Sequence, residues 1–371
     1  MASSLELRNV APKVLDHDRK EEEEEFSQAM QLVLSTAMTM SLPTAIELGV
    51  FDIIAKAGKG AKLSSAEIVA QMSTNNPDAP AMMDRILRLL ACHSVLSCSV
   101  VSDDNAGSNV RRLYSLGPVS KYFVTNEDGV SLGPLTALAK EKVLLDSWLS
   151  LKSSILEGGV AFEKAHGMKA FVYSSIDQNI NFVFNKAMYN QTTIVVKNIV
   201  KFYKGFDHLK QLVDVGGGLG VTLNLITSKY PHIKGINFDL PHVVKNAPSY
   251  PGVEHVGGDM FESVPHGDAI LMKCVLHDWC DEHCLKTLKN CYKAIPDHGT
   301  VMVVEAILPV TPESSFAAKS TFAFDVTMMT QNIGGKERSQ QEFLALATGA
   351  GFSGIKFVCC VCNHWVMEFY K

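Results

Sequence analysis

Apolar positions along this chain follow two rhythms, and the first gives way to the second near residue 205. From Phe26 to about Ala57 a helical spacing prevails, crowded with Met30, Leu32, Val33, Leu34, Met38, Met40, Ile53 and Ile54 and interrupted by Pro43. That stretch is apolar on too many faces for a lone surface helix, so it needs cover, and a partner subunit is the natural candidate. Ser64 to Glu67 is a Ser-x-x-Glu start signal for a short helix, and Asp78 to Leu96 predicts another with Met82, Met83, Ile86, Leu89 and Leu90 on one face. Val100 and Val101, the turn-rich Asp103 to Ser108, and Arg112 to Leu116 predict a hairpin. Helix, helix, hairpin is a winged-helix order. The second helix carries few cations besides Arg85 and Arg88, so the wing reads as structural rather than DNA-binding. Residues 130–204 read as mostly helical, and from Phe206 strands alternate with helices, which predicts a parallel, doubly wound α/β sheet of Rossmann-like type. The expected organisation is a solvated, disordered leader over 1–25, ending in Glu21 to Glu25; a winged-helix lobe over 26–125; a helical acceptor-binding segment over 126–204; and a cofactor-binding catalytic domain over 205–371.

Composition narrows the function. The 371 residues are 47% hydrophobic and 20% charged, enough to bury a large core. A net charge of −5 with scattered Lys and Arg offers no basic field for nucleic acid. Apolar runs stop short of the ~18 residues a membrane span needs, and the N-terminus lacks a basic region followed by an apolar core. Nine cysteines, an odd number without a spaced framework, point to free thiols in the cytosol.

The chemistry is concentrated at strand ends. Gln211 to Val215 is an apolar strand carrying Asp214, and it runs into Gly216, Gly217, Gly218 and Gly220. Such a turn lets backbone approach a nucleotide-like ligand at the mouth of the next helix. Val221 stands where a dinucleotide fingerprint needs its third glycine, so a nicotinamide-dependent oxidoreductase is disfavoured. About 25 residues after Asp214, Asp239 closes a second strand, where its carboxylate can accept ribose hydroxyls. Asp259 and Met260 close a third, an acid for an adenine amino group beside a thioether that packs on a purine. Together they predict an S-adenosylmethionine site. A fourth strand, Asp268 to Val275, leads to His277, which can take a proton from an acidified hydroxyl, while Glu305 and Glu337 can converge on the imidazole and hold its tautomer. A metal set of Cys274, His277, Cys280 and Cys284 is not expected, because Cys274 falls within the predicted strand and the set contains no Cys-x-x-Cys pair. Cys359, Cys360 and Cys362 read as core packing.

With these motifs on the page, the chain resembles the plant phenolic O-methyltransferases, close to the caffeic acid branch, from Ala29-Met30-Gln31-Leu32 to Val366-Met367-Glu368-Phe369. The motifs that carry the resemblance are Val213 to Gly218, Phe238 to Val243, Gly257 to Phe261, His277-Asp278-Trp279 and Gly334 to Arg338. The resemblance implies a homodimer joined through the N-terminal lobe, with Met30 reaching the partner's acceptor pocket. It implies that Gly216, Gly218, Asp239, Leu240, Asp259, Met260, Lys273 and Trp279 hold the cofactor. His277 is implied as general base, oriented by Glu305 and Glu337, and Leu144, Ala170, Phe184, Met188, Met328 and Asn332 as the acceptor pocket, with no metal. Five positions depart from the caffeic acid pattern. Leu138 stands for Met, Ala139 for Asn, Ile180 for an aromatic, Gln191 for His and Cys274 for Trp. Losing an Asn and a His argues against lignin-type phenylpropanoid acceptors and for a different small aromatic. An aromatic amine such as an anthranilate is the alternative acceptor, since it attacks without first losing a proton.

Overall fold

The computed structural model describes residues 17–102 and 110–371. Residues 1–16 of the expected leader and the Asp103 to Ser108 turn lie outside them. The chain forms two compact units, Met1–Ser120 and Lys121–Lys371.

In the first unit, helix α1 (His17–Val33) already contains Glu21 to Glu25. The leader expectation therefore fails from His17 onward, since glutamate is a good helix former. α2 (Ser35–Glu47) follows at a 52° bend. Pro43 does not interrupt it but lies buried inside it, and the real breaks fall at Leu34 and at Gly49, whose φ of 72° starts α3 (Val50–Lys56). Phe26 (63%), Leu32 (70%), Val33 (72%) and Leu34 (60%) remain exposed, so the apolar excess of this region has no cover within the unit. Among the described residues no single helix is long and apolar enough to cross a membrane.

α4 (Ser65–Val69) opens on the predicted capping box: the Ser64 N–H donates to the Glu67 carboxylate at 2.7 Å, and the Glu67 N–H donates to Ser64 Oγ. The Ser64 hydroxyl, which donates to the same carboxylate at 2.7 Å, and the Ser64 N–H hold the Glu67 carboxyl down at about 2. α5 (Ala79–Cys92) ends earlier than predicted, because Leu96 already belongs to β1 (Leu96–Ser102), which pairs antiparallel with β2 (Val110–Leu116). Its buried face is Met83, Leu87 and Leu90; Met82, expected there, points to solvent. Three cations of this module are paired with acids at its surface: Arg88 and Arg112 with Asp84, and Arg111 with Glu67 at 2.9 Å. That use fits a structural wing.

The second unit begins with six helices: α6 (Gly133–Ala139), α7 (Lys142–Leu149), α8 (Leu151–Glu157), α9 (Ala161–His166), α10 (Ala170–Ile176) and the long α11 (Gln178–Phe202). The sheet follows, as β3 (Gln211–Val215), α12 (Val221–Lys229), β4 (Lys234–Asp239), α13 (Pro241–Val244), β5 (Val253–Gly257), β6 (Ala269–Lys273), α14 (Asp281–Ala294), β7 (Thr300–Glu305), α15 (Phe316–Gln331), α16 (Gln340–Ala350), β8 (Gly354–Val361) and β9 (His364–Tyr370). Strand order is β5-β4-β3-β6-β7-β9-β8. The first five strands are parallel, but β9 is antiparallel to both β7 and β8, so the all-parallel expectation is corrected to a mixed sheet. The cause is the two-residue turn Cys362-Asn363, with φ of 50° and 62°, which folds β8 back on β9 as a hairpin.

Both faces of the sheet are covered, and strand residues alternate between the two cores. Val213, Val215, Ile270, Met272, Val301 and Val303 pack with α14 and α16 through Leu288, Cys291, Phe343 and Ala347. Leu212, Leu271, Met302 and Val304 pack with α11 and α12 through Val196, Ile199, Leu223 and Ile226. Cys360 and Cys362 are exposed and Cys359 half-buried, since β8 is an edge strand, so the core reading of these three thiols holds only in part for Cys359.

Candidate active site

The glycine turn sits beyond the carboxyl end of β3. Gly216, Gly218 and Gly220 have φ of 71°, 56° and 80°, a region costly for residues with a Cβ. At Gly217 the requirement is space, because a Cβ there would lie 2.1 Å from Asn237 Oδ1 and 2.8 Å from Asp214 Oδ2. Asp239 braces the turn: its Oδ2 accepts from the Gly218 N–H at 2.8 Å and its Oδ1 from the Leu240 N–H at 2.7 Å. Each oxygen keeps a lone pair for a ligand hydroxyl. Burial pushes the Asp239 carboxyl up despite those N–H groups. Beneath the turn, Asp214 Oδ2 and Asn237 Oδ1 are buried without a hydrogen-bond partner. Burial lifts the Asp214 carboxyl to about 7 against the pull of the Lys273 cation. Lys273 Nζ donates to Gln191 Oε1 at 3.2 Å.

Asp259 is exposed at the end of β5, with Oδ1 accepting from the Phe261 N–H, while Met260 packs against the main core and its carbonyl accepts from the Asn290 amide. Trp279 is the centre of an aromatic group. Phe171 stacks on it at 6.1 Å, Phe261 meets it edge-on at 4.8 Å, and His283 stacks at 5.7 Å. Open backbone at Gly218, oriented acids and an aromatic wall fit an adenosyl ligand.

The fourth strand, β6, stops at Lys273; Cys274 follows it with φ of 53° instead of lying within it. A 3₁₀ turn, Leu276–Asp278, then presents His277. Three elements fix this turn. Glu305, at the end of β7, accepts the Val275 and Leu276 N–H groups on Oε1 at 2.9 and 2.8 Å. Arg338, almost wholly buried, donates to the Leu276 and Trp279 carbonyls at 2.7 Å each and to Asp281. The Lys336 N–H donates to the His277 carbonyl. His277 Nδ1 lies 2.9 Å from Glu337 Oε1 and 3.7 Å from Glu305 Oε2, while Nε2 faces Asp278 Oδ1 at 3.9 Å. Burial alone would lower the imidazole pKa, but Glu305, Asp278 and Glu337 outweigh it and hold it well above the usual histidine value. Burial in turn raises Asp278 to about 6 against the attraction of His277.

Of the acceptor set, Leu144, Phe184 and Met188 join one apolar cluster with Leu138, Ile180 and Ala187. Asn332 donates to Asp278 Oδ1 at 2.7 Å, next to the imidazole. Ala170 and Met328 lie outside that cluster, Ala170 at the start of the helix that presents Phe171 and Met328 in α15, which packs on α7 and α9. The sequence reading missed four residues: Asp278, Arg338, Phe171 and Phe324, whose ring lies 5.6 Å from the His277 ring. Asp278 and Arg338 stand inside motifs it did single out, so proximity to His277 and Glu337 was the available signal. Phe171 and Phe324 carried none. Cys274, His277, Cys280 and Cys284 are not gathered as a set: Cys280 Sγ lies 3.0 Å from His283 Nδ1, and Cys284 donates to the Leu276 carbonyl.

This sheet order with a nucleotide-type turn is Rossmann-like, and the human N-acetylserotonin methyltransferase structure in complex with SAM shares the fold (TM-score 0.77, 20% identity, 97% of this chain and 99% of that one). Residues 148–353 match the O-methyltransferase domain family and residues 30–126 the O-methyltransferase dimerisation domain. Catechol O-methyltransferase 1 of Solanum lycopersicum is 57% identical over 95% of this chain and 96% of its own. Caffeic acid 3-O-methyltransferase of Medicago sativa is 56% identical over 92% and 93%. Anthranilate N-methyltransferase of Ruta graveolens is 54% identical over 95% of each chain. The chain belongs to the O-methyltransferase family and is an S-adenosylmethionine-dependent methyltransferase.

Proposed function

We propose that this enzyme transfers a methyl group to a hydroxyl of a small aromatic specialised metabolite in the cytosol, with His277 as general base and Glu305 and Glu337 as positioning residues. The observation that carries it is the buried imidazole held by Glu337 at Nδ1 with Nε2 left for the acceptor. Gly216, Gly218, Asp239, Leu240, Asp259, Met260, Lys273 and Trp279 would hold S-adenosylmethionine, which supplies an electrophilic methyl on a sulfonium. His277 takes the phenolic proton, and Glu337 keeps the Nδ1–H tautomer and steadies the cation that forms. A phenol with a pKa of about 10 gives its proton uphill to an ordinary imidazole at about 6.5, by roughly 5 kcal/mol. The raised pKa of His277 narrows that gap. Glu305 acts mainly on the backbone, tying the turn to the sheet. Leu144, Phe184, Met188, Ala170 and Met328 would form the apolar wall for the ring, and Asn332 would fix Asp278. The exposed faces of α1 and α2 would be the dimer contact, including Met30.

An aromatic amine remains the second reading, favoured by the anthranilate N-methylating relative and by the replacement of an Asn by Ala139 and of a His by Gln191. The carboxylate-braced imidazole supports oxygen, because an amine needs no strong base. Purified wild-type and His277→Ala enzymes are compared with labelled S-adenosylmethionine on matched phenols and anthranilate-type amines. Phenol methylation that collapses in the variant is expected; methylation of an amine that largely survives would reassign the acceptor atom to nitrogen.

A further inference from the structure

A second set of ligand-type side chains, different from the one weighed in the sequence, comes together beside the imidazole. We infer that Cys274, His277 and Glu305 form a binding site for a soft divalent cation of the zinc type. One donor atom from each lies within 4.8 Å of the others. Glu305 is 0% exposed and its Oε2 has no hydrogen-bond partner, although it lies 3.7 Å from His277 Nδ1. A buried carboxylate oxygen that makes no hydrogen bond and faces only the imidazole is costly, and a cation is one of the few groups that satisfies it. Cys274 reaches the site because it leaves β6 in a left-handed conformation. Tetrahedral zinc bonds of about 2.0 to 2.3 Å place donors ~3.3 to 3.8 Å apart, so the set needs to contract by no more than about 1.5 Å. Thiolate, imidazole and carboxylate are zinc donors, whereas magnesium would reject the sulfur.

On binding, the Cys274 thiol and the His277 imidazolium each release one proton to solvent, and the freed ring nitrogen gives its lone pair to the ion. The imidazole then has no capacity to accept the phenolic proton. That kinetic consequence rests on His277 as base; the site itself does not.

The test strips the full-length enzyme with a chelator, then titrates it with Co²⁺ alone followed by Zn²⁺, recording the near-ultraviolet thiolate-to-cobalt charge-transfer band and methyl transfer. The band is expected to appear and to yield to Zn²⁺. Cys274→Ala should abolish it and raise the Zn²⁺ concentration for half-inhibition by roughly 10- to 100-fold. Cys280→Ala should keep it, which separates the site from the exposed Cys280–His283 pair. The site is overturned by absence of the band, by its survival in Cys274→Ala, or by its loss in Cys280→Ala. A band that depends on Cys274 in an enzyme still fully active with zinc bound would uphold the site and remove His277 as base.

Discussion

The two units place their side chains against opposite rules. In the first, Phe26, Leu32, Val33 and Leu34 stand in water; in the second, Asp214, His277, Glu305, Glu337 and Arg338 are nearly sealed from it. Exposed apolar surface is stabilised by whatever covers it, and a buried ionisable group by whatever pairs with it or neutralises it. The first arrangement points outward to another protein surface. The second is largely resolved internally, by carboxylates around one imidazole and by a guanidinium on two carbonyls.

The largest expected effect lies at the sealed centre. His277→Ala should lower kcat/KM for a phenol by about 100- to 10,000-fold, while titration calorimetry shows cofactor binding intact. Unchanged turnover would mean the buried charge is structural. Asp214 comes next. A carboxyl raised above its unfolded pKa stabilises the fold at low pH, and that contribution is lost as pH rises through about 7. Asp214→Asn should therefore narrow the gap in melting temperature between pH 5 and pH 8, an effect of about 2 to 3 kcal/mol across that window. An unchanged gap would show that Asp214 ionises freely. Glu337→Gln should cut kcat about 10- to 100-fold and move the rising limb of the pH–rate profile to lower pH, because the imidazole loses a carboxylate that raises its pKa. In the wild type that limb should lie well above the usual histidine range. The smallest effect tests the open surface: Leu34→Ser should weaken self-association by about 1.5 kcal/mol, measured by sedimentation, with the melting temperature of the dilute protein unchanged.

Local signals in the sequence were reliable where the chemistry is local. The Ser64–Glu67 capping box and the strand–glycine turn–helix of residues 211–229 each involve neighbours along the chain, and they appear as read. The strand ends at Asp239 and Asp259 were legible for the same reason. Errors arose where distant contacts decide. Pro43 looks like a breaker but is tolerated within α2. The reversal of β8 and β9 depends on two left-handed residues, and Asn363 was the available hint. Arg338 could be seen in its motif, yet nothing nearby revealed that its donors reach carbonyls sixty-two and fifty-nine positions away.

Glu305 has a consequence for motion. Its Oε1 is the acceptor for both the Val275 and the Leu276 amide, inside a core where the carboxylate is fully buried. Deuterium can reach those two amides only after the end of β7 has parted from the turn, so their exchange should be as slow as that of the central strands. The imidazole is therefore carried on a turn whose backbone is expected to open only when this end of the sheet opens with it.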